Sequence, residues 1–263
     1  MTSSVDGIEK FDAPRWQPVG RGDFGELSKA RLETFNLVQW LARLGNSNVE
    51  DDVPERRIEL QFRAADGALA TKRFGANLAL ELRLPSLQMQ FLEGGRPAPH
   101  IFDPDDRSPA EVEAWILVEL LHRGISAEKF SKRLPYPVAG LMSGDVPHHS
   151  PRSCGRGLAE LTAWLKNAAA VLDATSRVAD IDSPRVVALP QTLALACICG
   201  RDQNRFGFQP GDGEEPEPYF YVAAGPAAGA IGNKRAILKA SALFAKPDPA
   251  VAAMRFLMQL AND

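Results

Sequence analysis

Side chains able to attack, shuttle protons or hold a metal are few in this sequence, so each can be weighed by its neighbours. The chain carries four histidines and three cysteines in 263 residues. His148 and His149 stand side by side in a stretch rich in Pro, Gly and Ser, with Cys154 nearby. They are read as the only local cluster of potential metal ligands. Zinc sites usually take four ligands, however, and adjacent side chains diverge unless the backbone turns sharply. No metal is therefore expected, and the two histidines are read as binding residues, or as an acid–base group if the chain is an enzyme. His122 falls near the end of a helix, where a cation is favoured by the macrodipole, and is expected to be structural. His100 follows Pro97-Ala98-Pro99 at an expected sheet edge.

The remaining motifs are weaker. Gly225-Pro226-Ala227-Ala228-Gly229-Ala230-Ile231-Gly232 lacks the spacing of a dinucleotide-binding loop and opens no βαβ series. Gly140-Leu141-Met142-Ser143-Gly144 places its serine one position too late for a nucleophile elbow. Ser126-Ala127-Glu128-Lys129 matches S-x-x-K without companion motifs, and a helix cap explains the serine. Asp103-Pro104-Asp105-Asp106 lacks the glycine and glutamate of a calcium loop. No nucleophile, phosphate loop or ligand set emerges, and no cofactor is expected.

The elements that must position these residues follow from periodicity. Phe35, Val38, Leu41 and Ala42 recur at helical spacing and stop before Gly45-Asn46. The period then becomes two: Ile58, Leu60, Phe62 and Ala64 alternate with Arg57, Glu59, Gln61 and Arg63, and Asp66-Gly67 signals a hairpin. Leu78, Leu80, Leu82 and Leu84 alternate likewise, as do Leu87, Met89 and Phe91 up to Gly94-Gly95. Antiparallel strands are predicted, with one face on a core and a polar face (Arg57, Arg63, Arg83, Gln88, Gln90) near water. Ser108-Pro109-Ala110-Glu111 predicts a capped helix start, with Val112, Trp115, Ile116 and Leu120 as its packing stripe. A short basic helix is expected from Ser126.

After a loop over 135–157, Leu158, Leu161, Leu165, Ala168 and Leu172 mark a long amphipathic helix. Apolar segments at 185–189, 192–199, 219–223 and 237–245 follow, then a helix opened by Asp248-Pro249. Each half thus reads helix, about four strands, helix. The expected fold is α+β: two similar halves with antiparallel sheets packed on helices, related by internal duplication. Residues 1–134 would be the first half, 135–156 a linker and 157–263 the second half, all within one domain or two. In 192–199 both rows are apolar, Leu193, Leu195 and Cys197 on one side and Ala194, Ala196 and Ile198 on the other. That strand is predicted to be covered on both faces, by the other half or by a second copy in a homo-oligomer.

Pro210-Gly211-Asp212-Gly213 followed by Pro216-Glu217-Pro218-Tyr219-Phe220-Tyr221 resembles the Gly-rich turn and Pro-Glu-Pro-aromatic-Tyr strand of an uncharacterised bacterial protein family of unknown function. Pro247-Asp248-Pro249-Ala250 resembles that family's ending, and His148 or His149 falls where the family has a histidine. The chain departs from it at residues 186–193, which read Val-Val-Ala-Leu-Pro-Gln-Thr-Leu in place of a His-aromatic-aromatic-Trp-Gly-Ser-Phe-Asp run. The resemblance implies a fold and a bacterial source, not an activity.

Composition excludes some partners. A formal charge of -3 with scattered Lys and Arg gives no basic stripe, which argues against nucleic acid. No apolar stretch reaches a membrane span and the first residues hold no secretory core. Cys197 and Cys199 sit in an apolar run, as in a reducing compartment. A cytoplasmic binding or interaction protein is expected, with a small molecule or protein as partner. Its site would lie on the polar sheet face or between the halves, drawing on His148, His149, Tyr219, Tyr221, Arg57 and Arg83. The alternative is a metal-independent enzyme using His148 or His149.

Overall fold

The computed structural model describes residues 13–20, 24–179, 185–199, 204–223 and 234–261. The glycine-rich segment from Gly225 to Gly232 lies outside them. The chain divides into two compact units, one of Gly25–Thr162 with Ala188–Leu193, the other of Met1–Phe24, Ala163–Val187 and Ala194–Asp263. The fold is α+β with antiparallel strand pairing. The shared element order does not by itself make a duplication. No helix among the described residues is long and apolar enough to cross a membrane.

The first unit opens with α1 (Phe24–Asn48), a one-turn helix α2 (Pro54–Arg57) and the meander β1 (Leu60–Arg63), β2 (Ala68–Thr71), β3 (Leu78–Arg83), β4 (Gln88–Glu93) and β5 (Arg96–Phe102). Helix α3 (Pro109–His122), a 3-10 turn at Ala127–Lys129, another at Pro151–Cys154 and the opening turns of α4 (Gly155–Val178) complete it. Gly67, at φ 64°, closes the β1–β2 hairpin by donating its N–H to Arg63 O at 2.9 Å. Gly94 and Gly95, at φ 58° and 83°, make a two-residue turn between β4 and β5 of the kind whose twist matches paired strands. Ser108 caps α3 as its sequence predicts. The Glu111 N–H donates to Ser108 Oγ at 3.3 Å, and the Ser108 N–H donates to Glu111 Oε2 at 2.9 Å.

One face of this sheet is apolar, with Leu80, Leu82, Met89 and Phe91 fully buried. Trp115 of α3 lies against it, 5.6 Å from Phe91 and 5.1 Å from Phe102 between ring centroids. Three expectations need correction. Arg57 is not on the sheet: Pro54, which suits a first helical turn, starts a helical turn that Arg57 ends, and the strand begins only at Leu60. The opposite face is not open to water throughout, for Glu59, Glu81 and Gln90 are 6%, 2% and 4% exposed. The basic segment after Ser126 forms only a 3-10 turn.

The second unit holds the rest of α4, β7 (after β6, Arg185–Leu189; β7 is Ala194–Cys199), β8 (Asn204–Gln209), β9 (Tyr219–Ala223) and β10 (Lys234–Lys239). Two helices follow, α5 (Ala240–Phe244) and α6 (Pro249–Ala261). The apolar segment 237–245 is thus split between a strand and a helix. Strands β7 to β10 pair consecutively and antiparallel. Trp164 is the hub of its core, edge-on to Trp16 at 5.7 Å and stacked on Phe208 at 5.7 Å. Asp248 caps α6, accepting from the Val251 N–H at 3.1 Å.

Candidate functional site

Strand register assembles the second face of the first unit's sheet. Residues directly opposed in antiparallel strands share a face. Gln61, Ala70, Glu81, Gln90 and Ile101 therefore form one row across β1 to β5, and Arg63, Ala68, Arg83 and Gln88 form the next. Alanines on β2 leave room for the long side chains flanking them. Glu81 sits at the centre with its side chain 3% exposed, paired on one oxygen with Arg63 and on the other with Arg83 Nε at 3.0 Å. Arg63 also reaches Asp66 at 2.6 Å, and Arg83 Nη2 donates to Gln90 Oε1 at 2.7 Å. Gln90 in turn donates to the Ala98 carbonyl. The two guanidiniums supply the countercharge that a buried carboxylate requires. Arg83 is therefore held inside a structural network.

Beside the network lies a groove of about 190 Å³. Ala70, Ala79 and Leu92 are buried in its floor, and Gln61, Arg73 and Asn77 stand around it. Arg73 is exposed, and neither it nor the Gln61 and Asn77 side chains make a hydrogen bond or ion pair with a described residue. A larger cleft of about 870 Å³ lies at the C-terminal end of α1. Its polar side chains are largely engaged within the fold. Ser47 Oγ accepts from the Ser131 N–H at 2.9 Å, Asn48 donates to Leu44 O, and Arg57 Nε donates to Asp51 O at 2.9 Å. The Asp51 carboxyl is held below its ordinary range, chiefly by the Val53 N–H.

A scan of protein-family models and searches of curated proteins and of solved structures give no match.

The other anticipated residues separate. His148 is on the surface, its Nδ1 2.9 Å from Asp106 Oδ1, and that bond raises its pKa above the ordinary value. His149 is 1% exposed and turns the other way, its Nδ1 3.3 Å from Glu33 Oε2 on α1. Its backbone N–H donates to Arg107 O, and its carbonyl accepts from the Asp106 N–H, both at 2.9 Å. These bonds anchor the loop. Cys154 is buried, and burial pushes its thiol pKa up, the opposite of what a nucleophilic cysteine needs. Tyr219 and Tyr221 bury their rings in the second unit, 6.4 Å apart and edge to face. The Tyr219 hydroxyl donates to Asp212, and burial raises its pKa.

What the sequence reading missed is another grouping. His100 on β5 and Glu119 and His122 on α3 each offer one ligand atom within 4.8 Å of the others. The signal present in the sequence was Glu119-Leu120-Leu121-His122, a spacing that places both side chains on one side of a helix. The approach of His100 depends on how β5 packs beside α3.

Proposed function

We propose that the chain is a binding protein that takes a small anionic molecule in the sheet-face groove of the first unit. The observation that carries this reading is Arg73. The other arginines on this face, Arg63 and Arg83, are tied to Glu81, whereas Arg73 has no anion among the described residues. A guanidinium offers a planar fork that fits a carboxylate or phosphate. Gln61 and Asn77 add amide groups, and the buried floor of Ala70 and Ala79 sets the depth. The groove is smaller than the roughly 300–1,000 Å³ usual for drug-sized ligands, which favours a compact organic acid or phosphate.

The test is titration calorimetry of the full chain against citrate, inorganic phosphate and adenosine monophosphate. At least one should bind saturably, and Arg73→Gln should weaken it about 10- to 100-fold, the scale of a charge-assisted hydrogen bond. Arg57→Gln, in the other cleft, should leave it unchanged. Binding that survives Arg73→Gln, or no binding by any of the three, would remove the basis for this reading.

A further inference from the structure

We propose that His100, Glu119 and His122 form a binding site for a divalent transition-metal ion, with zinc as the best fit. Glu119 Oε1 lies 2.9 Å from His100 Nδ1 and 3.9 Å from His122 Nδ1. Metal–ligand bonds of about 2.0–2.2 Å in a tetrahedron place ligand atoms about 3.4 Å apart. The two separations straddle that value, and small rotations of the imidazoles close the difference. A hydrogen bond accounts for His100. At 3.9 Å it does not account for His122.

The carboxylate is already oriented. The Glu119 side chain is 3% exposed, and Arg123 Nη1 donates to its Oε2 at 2.6 Å. The same nitrogen donates to the Glu119 carbonyl at 2.8 Å, and Nη2 pairs with Glu93 at 2.9 Å. The guanidinium lies over the Phe91 ring, 4.7 Å from its centroid, so it has little freedom. Oε2 is thereby occupied and Oε1 faces the imidazoles. A ligand carboxylate fixed by a second group is how metal sites gain affinity, and Arg123 is that positioning residue.

Charge and ligand type agree. Glu119 and Glu93 against Arg123 leave one negative charge when the imidazoles are neutral, and His122 lies in the last turn of α3, where the helix favours a cation. Glu-x-x-His on a helix is also the spacing by which helical bundles hold iron. Two imidazoles and one carboxylate suit zinc, cobalt or nickel better than magnesium or calcium, which prefer oxygen. The histidine side chains are 62% and 60% exposed, so the remaining coordination position faces water, an open site rather than a closed structural one.

The test uses the full chain stripped with EDTA, titrated with zinc by calorimetry and with cobalt by visible absorption. One ion per chain is expected, with cobalt giving ligand-field bands of a four- or five-coordinate site. His100→Ala and His122→Ala, both at exposed positions, should each weaken zinc by more than about tenfold, and Arg123→Gln by about tenfold through the freed carboxylate. His148→Ala should bind as the parent does. If Glu119→Gln fails to fold, the two histidine variants decide the matter. No stoichiometric binding, or binding unchanged in both histidine variants, would overturn the site.

Discussion

The Asp106–His148 pair shows what a single surface contact does to a titration. The bond from the imidazole to Asp106 Oδ1 favours the charged ring, so His148 keeps its proton above the ordinary value of 6.5. Stability from this contact is fully present below the unfolded pKa and fades as pH rises through the folded one. An NMR titration of the His148 ring should give a midpoint above 6.5, and Asp106→Asn should bring it down. A parent midpoint at or below 6.5 would show that the contact does not persist in solution. At the next residue the His149 ring is enclosed instead and bonded to Glu33 of α1. The Asp106–His149 and His149–Arg107 backbone bonds hold the loop between the two rings. Adjacency in sequence told only that the two would diverge.

Helix ends were legible because a cap is a local object. Four residues, Ser108 to Glu111, contain both hydrogen bonds that start α3, and Ser108 is itself 2% exposed. Ser108→Ala removes one acceptor and loosens the reciprocal bond from its own N–H, at a cost of about 1 kcal/mol. A thermal melt should shift down by about 2–4 °C for a chain of this size. An unchanged melt would mean the capping box adds nothing. Strands were legible where one face is apolar, as in β3 and β4, and not where pairing is the deciding fact. β5, with Pro97 and Pro99, is the exception: it lies at the sheet edge expected for His100, pairing with β4 alone and leaving proline's missing donors there. β8 alternates Phe206 and Phe208 with Gly207, a pattern too short to mark a strand without its pairing to β7. The same limit applied to the sites. Arg73, Gln61 and Asn77 come from different stretches of the meander, and His100 meets Glu119 only through the packing of β5 and α3.

At the scale of the whole molecule, how an apolar strand is covered depends on what its partners place over it. Leu195 and Cys197 on one face of β7, and Ala194 and Ala196 on the other, are all fully buried, as the two apolar rows imply. On the Leu195 face the second unit supplies Phe206, Phe208 and Phe220, with Trp164 stacked on Phe208. On the other face Ala196 opposes Gly207, and Gly207 opposes Tyr221. A Cβ on Gly207 would stand 2.3 Å from Leu195 O and 2.6 Å from the Tyr221 hydroxyl, so the tyrosine ring lies directly over the glycine. Part of the second cover thus comes from within the unit, and Tyr221 is a roof rather than a pocket wall. The row Ala196, Gly207, Tyr221 runs small, smaller, large, and Ala196 within it is fully buried. Ile198, on the same face at the strand's end, is only half-buried. Ala196→Asp should therefore cost more than about 3 kcal/mol, adding both an unpaired charge and overpacking. Ile198→Asp can turn its carboxylate to water and should cost distinctly less. Urea denaturation of the two variants measures the difference. Equal losses would mean that β7 is enclosed along its whole length, and a mild loss at Ala196 would mean that the tyrosine cover opens readily.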